Sequence, residues 1–308
     1  MLSALEFAAR HGRWCLMLGL LAGLTLPGLT LVLRPWLPPL IAGLLFIAAL
    51  RIGPRAAVGG LSDVGRTLRM ALIYQLAAPI LALLVLLALG LSAAPWAVAL
   101  VLVLSAPPVT GSPNFTILMN RDPAIAMRLL LVGTAIFPIA AMPILWLSPV
   151  VETLNGVLIG AFWLMSVIFG AVGLAFSVRR WVWPEVSDRH KSALDGASAI
   201  LLGVVVVGLM SAIGPALKNS PTDFALWLAF AFALNFSAQA IAARFMPLAD
   251  RSKEQTGAAL VAGNRNIALF LVALPEATME PVLLFIGCYQ LPMYLTPILM
   301  RRVLTKGT

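Results

Sequence analysis

Within the apolar stretch 255–276 the run Gly263-Asn264-Arg265-Asn266 sets a guanidinium between two carboxamides. A guanidinium is always charged and matches a carboxylate bidentately. At mid-bilayer depth an arginine costs at least ~2.5 kcal/mol, which favours a functional role over snorkelling or a structural pairing. A second candidate lies in the stretch 93–119, where Pro107, Pro108, Gly111 and Pro113 crowd around Thr110 and Ser112. Prolines remove backbone donors and clash one turn back, so no regular helix runs through them. A break at 107–112 is expected, with the helix restarting on Ser112 as N-cap and Pro113 at the first helical position. Broken backbone at membrane depth survives only where it is buried in protein or lines a wet cavity. Its loose carbonyls suit a cation, and the restarting N-terminus suits an anion. Thr110, Ser112, Asn114, Asn264, Arg265 and Asn266 are therefore the candidate substrate-binding residues. Gln75, one turn before Pro79, joins Thr116 and Asn235 as polar residues of the core that could serve an ion. Taken singly, Asn235, Ser237 and Gln239 read as helix–helix hydrogen-bond partners.

The elements that position these groups follow from composition. Of the 308 residues 61% are hydrophobic and only 11% charged, and the mean hydropathy is +0.99, so lipid must be the solvent. Ten stretches are long enough to be read as spans: 14–33, 35–50, 67–91, 93–119, 126–148, 153–177, 194–216, 223–244, 255–276 and 281–300. They are leucine- and alanine-rich rather than alternating, which excludes a barrel and predicts an all-α polytopic membrane protein. With the N-terminus inside, eighteen basic residues fall on inner segments and only Arg34 and Lys218 outside. That bias puts both termini in the cytoplasm and points to an inner (cytoplasmic) membrane. It also accounts for the net charge of +9, which lies beside anionic lipid and implies no nucleic-acid partner. The inner set includes Arg13, Arg55, Arg251, Lys253 and Lys306. Residues 1–33 are too long an apolar run for a signal peptide and read as the first span, preceded by a surface helix over 3–12 that Ser3 and Glu6 would close as a capping box. Cys15 and Cys288 fall near opposite faces, so packing rather than a disulfide is expected of them.

A segment recurs within this layout. Gly133, Pro138, Pro143, Ile144 and Leu145 return 154 residues on as Gly287, Pro292, Pro297, Ile298 and Leu299. The same offset lays Asn264, Arg265 and Asn266 over Thr110, Gly111 and Ser112, so the two predicted breaks coincide. Two halves follow, 1–150 with spans 1–5 and 151–308 with spans 6–10. Five spans per half make the repeat inverted across the membrane, which is the build of a secondary transporter.

On these residues the chain resembles the bile acid:sodium symporter family and its wider superfamily of ten-span transporters. Pro107-Pro108-Val109-Thr110-Gly111-Ser112 is similar to that family's Pro-Gly-Gly-Thr-Ala-Ser motif, and Gly263-Asn264-Arg265-Asn266 to its Gly-Met-Gln-Asn. The resemblance implies discontinuous, crossed helices 4 and 9, a panel of spans 1, 2, 6 and 7, and a core of spans 3–5 and 8–10. It also implies alternating access to an organic anion. The family's sodium ligands are mostly absent. Val261 stands where the family has an acidic ligand, Arg265 replaces a ligand glutamine, and Pro113 with Asn114 one place later replaces an asparagine. Two further hydroxyl ligands fall on Ala126 and Leu130; Ser112 persists, with Thr110 as the other candidate.

A lost carboxylate and a gained guanidinium disfavour sodium, because two cations a few Å apart in a low dielectric repel by several kcal/mol. The Arg265 head group is expected to fill the volume that sodium occupies in relatives and to favour, with two half-helix N-termini, a bound carboxylate. The expectation is a sodium-independent carrier of a small organic anion, with no metal and no cofactor. Two alternatives are a sodium-coupled bile-acid-type symporter and an auxin-efflux-like carrier of the same superfamily. An enzyme is not expected: no His lies within a span, every Asp and Glu sits near a predicted membrane face rather than mid-span, and neither HExxH nor GxSxG occurs.

Overall fold

The computed structural model describes residues 2–54, 64–149, 154–245 and 254–305, with Arg13 and Leu154 described by backbone alone. Arg55, Arg251, Lys253, Lys306 and the Arg13 side chain, all part of the charge pattern above, lie outside what is described. In chain order the helices are α1 (Leu2–Arg10), α2 (Gly12–Thr25), α3 (Pro27–Ile52), α4 (Val64–Ala88), α5 (Pro95–Ser105), α6 (Ser112–Leu118) and α7 (Ala124–Leu147). They continue with α8 (Leu154–Ser177), α9 (Asp188–Leu209), α10 (Ile213–Asn219), α11 (Pro221–Phe245) and α12 (Glu254–Gly263). The chain ends with α13 (Phe270–Ala273), α14 (Glu276–Leu299) and α15 (Arg301–Thr305). Among the described residues seven helices are long and apolar enough to cross a membrane, so the chain is a polytopic helical membrane protein. It divides into two compact units, Met1–Gly59 with Met165–Phe224, and Gly60–Leu164 with Ala225–Thr308.

In the first unit α1, α2 and α3 all pack on α9. Small residues make this possible, since lipid supplies no hydrophobic drive and close backbone approach must replace it. A Cβ on Gly196 would strike the Leu5 carbonyl, and one on Gly203 would lie 2.9 Å from the Cys15 carbonyl oxygen. Helix α9 starts at Asp188, ahead of the apolar stretch beginning at 194, because Ser187 caps it and Asp188 faces the positive end of the dipole. The N-terminal helix differs from the expected one. It begins at Leu2, and Glu6 does not close a box with Ser3 but accepts from Arg189 Nε at 2.5 Å, which fixes α1 to α9. Arg51 and Asp195 form a second ion pair between α3 and α9.

The boundary between the first two stretches also moves. The sequence places it near Arg34, whereas the helix stops at Leu26 (φ −118°, ψ 70°) and then runs from Pro27 to Ile52 through a tight turn at Arg34–Trp36. Pro27 cannot donate one turn back, so α2 must end before it, while Pro35 sits in a first turn that needs no donor.

In the second unit α4 loosens into a π turn at Ile73–Ala77, just ahead of Pro79. Helices α7 and α14 are built alike. Each has 24 residues, each follows a proline (Pro123, Pro275), and each carries internal prolines: Pro138 and Pro143 in one, Pro281, Pro292 and Pro297 in the other. Glu254, the first residue of α12, accepts from Arg128 Nη2 at 2.5 Å and lies 3.7 Å from Arg66 Nη2, tying α12 to α7 and α4. Cys15 and Cys288 are both free thiols, Cys288 buried within the second unit.

A Gly196→Ala variant should push α1 off α9, because the added methyl meets backbone rather than a movable side chain. Overpacking of this kind costs about 1–3 kcal/mol. The expected outcome is a lower melting temperature together with faster tryptic cleavage at Arg10; unchanged cleavage would mean that α1 is held by its ion pair alone.

Candidate functional site

Both predicted breaks are present in the second unit. Helix α5 ends at Ser105, Ala106 turns extended (φ −61°, ψ 150°), and α6 restarts at Ser112. Helix α12 ends at Gly263, after which the chain manages only a tight turn at Ile267–Leu269 and the short α13. The two interruptions lie against each other. Val109 N–H donates to the Asn264 carbonyl at 3.0 Å and Asn266 N–H to the Pro107 carbonyl at 2.8 Å, an antiparallel bridge centred on Pro108 and Arg265. Backbone groups released by one break thus satisfy those released by the other, as an apolar setting demands. The crossing pairs Asn264–Asn266 with Pro107–Val109, three residues before the Thr110–Ser112 segment that the 154-residue offset matches to them.

Arg265 is the centre of the crossing and only 3% exposed. Its Nε donates to the Ala262 carbonyl at 3.0 Å, Nη1 to Ala106 at 3.0 Å and Nη2 to Tyr74 at 3.3 Å, and its guanidinium carbon stands 5.1 Å from the Tyr74 ring centroid. Each of these carbonyls is one that its own helix cannot use. Ala106 and Ala262 belong to the C-terminal ends of α5 and α12, where carbonyls lack intrahelical donors and the dipole is negative. The Tyr74 carbonyl is released by the π turn: Ala78 N–H donates to Ile73 instead, and Pro79 has no N–H. Sequence reasoning set Arg265 among helix N-termini; two of its three hydrogen bonds go to C-terminal ends, the sense a cation prefers. Among the described residues no carboxylate is paired with it.

The other candidates separate into groups. Ser112 does not cap α6: Gly111 precedes the helix, Ser112 N–H donates to the Val109 carbonyl at 3.0 Å, and the Ser112 hydroxyl is fully buried without a partner. The Gly111 carbonyl already accepts the Phe115 N–H at 3.0 Å, the donor that a Ser112 cap would have taken. Thr116 Oγ1 is bound to the Ser112 carbonyl at 2.9 Å within α6, a structural role. Asn114 is exposed, while Thr110 and Asn266 are half-buried beside the bridge. Gln75 Nε2 donates to the Gly133 carbonyl at 3.0 Å and leaves Oε1 buried and unpartnered. Gly133 must be glycine there, since a Cβ would lie 2.8 Å from Gln75 Oε1 and 2.9 Å from Pro108 Cδ.

Asn235 joins a buried polar cluster on the α11 and α14 side. Its Nδ2 donates to the Gly263 carbonyl at 2.6 Å and to Asn264 Oδ1 at 3.0 Å, while Gln239 Nε2 donates to Asn235 Oδ1 at 2.6 Å and to Thr296 Oγ1 at 3.0 Å. Tyr289 OH also donates to the Gly263 carbonyl. Ser237, in contrast, bonds within its own helix. Thr296 escaped the sequence reading as a lone hydroxyl in an apolar run, and Tyr74 and Tyr289, each beside a glutamine, because a tyrosine packs as readily as it hydrogen-bonds. Pro79, five residues after Tyr74, was the one signal that its carbonyl would be free.

Replacing Arg265 with Met would strand three buried carbonyls, each loss costing about 1–3 kcal/mol. A fall of at least ~5 °C in the melting temperature of detergent-purified protein is expected. Arg265→Lys should recover only part, since one ammonium cannot reach three carbonyls set around a planar fork. Full recovery by Lys would show that charge alone matters.

Compared with known proteins, the chain matches no family model and no curated protein.

Proposed function

We propose that the chain is a secondary transporter that carries a small organic anion by alternating access and does not use sodium. The observation that carries this reading is a fully enclosed guanidinium at the crossing of two interrupted helices, held by carbonyls and by no carboxylate among the described residues. An interrupted helix pair within a membrane is an expensive arrangement, and transport sites are where it recurs. A cation tethered at the crossing occupies the carbonyl ends that would otherwise attract a free one, and its unbalanced charge favours a negative ligand.

The likeness between α7 and α14, each following a broken pair, supports an inverted repeat of five plus five spans. The ten apolar stretches and the basic inner segments support ten crossings, with both termini in the cytoplasm and the inner membrane as location. Under this proposal the second unit is the core and the first the panel of the bile acid:sodium symporter-like layout. The atoms offered to a substrate are the Ser112 hydroxyl and the Asn264 carboxamide, which have unmet hydrogen-bond capacity, with Thr110 and Asn266 beside them. Asn114 is exposed on α6 and stays in that set. A sodium-coupled symporter is disfavoured by Val261 and by the arginine itself; a sodium-free crossing fits an auxin-efflux-like carrier equally well.

The test is thermal stabilisation of purified protein by acetate, pyruvate, succinate, benzoate and taurocholate, each as sodium and as potassium salt. A ligand at a hundred times its Kd raises stability by about 2.7 kcal/mol. Stabilisation by at least one acid, equal in the two salts, is expected, and Arg265→Gln should abolish it. A response confined to the sodium salt favours the symporter alternative. No response to any acid would sink the anion reading.

A further inference from the structure

Asn264 is held by one end only. Its Oδ1 accepts from Asn235 Nδ2 at 3.0 Å, with Gln239 Nε2 at 3.5 Å and Thr296 Oγ1 at 3.2 Å, the single Thr296 proton being shared with the Pro292 carbonyl at 2.9 Å. Its Nδ2, on the opposite side of the same amide, is buried and has no acceptor, although the residue is 0% exposed. The amide cannot turn over to mend this. Reversed, it would set Nδ2 against the Asn235 Nδ2 donor. Asn235 cannot turn in response, because its Nδ2 is bound to the Gly263 carbonyl at 2.6 Å and its Oδ1 receives Gln239 Nε2 at 2.6 Å. Gln239 is fixed in turn, since reversal would press its oxygen against Asn235 Oδ1. Three neighbours thus dictate which face of the Asn264 carboxamide is presented, and it is the donor face. The backbone of the same residue lies in the crossing, its carbonyl accepting from Val109.

We infer that Asn264 binds the carried anion through the two N–H groups of its Nδ2, and that Asn235, Gln239 and Thr296 are positioning residues that keep its oxygen turned away. The inference rests on the anion reading above and deepens it. A carboxylate is acceptor-only, with two oxygens able to take both N–H groups. A cation approaching the same amide face meets its two N–H groups. The polar cluster therefore selects the sign of the ligand without bearing a charge, one residue along the chain from the arginine that biases the same choice.

The test uses full-length protein with the potassium salts of acetate, pyruvate, succinate and benzoate, reading Kd from the stabilisation curves. Asn264→Asp keeps the held oxygen and replaces both N–H groups by lone pairs. It should weaken every acid that binds the parent protein at least tenfold. Thr296→Val removes one holder and should raise Kd roughly three- to tenfold, with Thr296→Ser restoring it. The double variant Asn264→Asp/Thr296→Val should bind no worse than Asn264→Asp alone, because Thr296 acts only through Asn264. A cluster that merely packs helices would lower the melting temperature of the ligand-free variants and leave Kd unmoved, which overturns the inference. If the parent binds an acid and Asn264→Asp binds it equally, the role of Asn264 fails while the anion reading stands. If the parent binds none, the anion reading falls and takes this inference with it. Should Asn264→Asp not fold, an unchanged Kd in Thr296→Val overturns the inference by itself.

Discussion

Arg265 can remain charged inside an apolar fold only because three carbonyls without helical duties converge on it. Each arises from a local irregularity: the prolines after α5, the asparagine-flanked stop of α12, and the π turn of α4 ahead of Pro79. Any one of these defects would be costly in isolation, since an unsatisfied buried carbonyl costs a few kcal/mol in such surroundings. Together they make a cage that the guanidinium fills, and the β-like bridge between Pro108 and Arg265 joins the remaining loose backbone. The defects and the charge are therefore one arrangement; removing the charge would leave the defects without a reason.

The two sides of the crossing are furnished differently. Toward α4 and α7 the packing is tight and sparing of polar groups, with Gln75 slotted against Gly133 and Pro108. Toward α11 and α14 it is a dense cluster of carboxamides and hydroxyls around Gly263 and Asn264. Gly263 is as constrained as Gly133, for a Cβ there would meet the Asn235 carbonyl and lie 2.6 Å from Gln239 Cγ. The two interruptions thus share a backbone bridge but not a lining.

Much of the framework could be read from the sequence because proline and charge speak locally. Pro107, Pro108 and Pro113 announced the first interruption, and the polar run at Asn264–Asn266 announced the second. What could not be read was partnership. Leu26 ends a helix because Pro27 follows, yet Arg34–Pro35 looked the better boundary, since a charge in an apolar run is a stronger local signal than a single proline. Ser112 had the right type for a cap, but the Gly111 carbonyl took the Phe115 N–H first. Glu6 satisfied the box pattern, yet a guanidinium on α9 outcompeted a backbone amide. Tyr74 offered no pattern at all, because it contributes a main-chain oxygen, which every residue possesses.

The cage around Arg265 has an electrical consequence. A positive charge bolted to the framework is felt by the membrane potential, which acts at about 2.3 kcal/mol per elementary charge per 100 mV. In the proposed cycle a carrier bearing a monovalent anion would shift with that charge cancelled, whereas the empty carrier would return with it exposed to the field. Voltage would then govern the unloaded step and leave the loaded one nearly untouched.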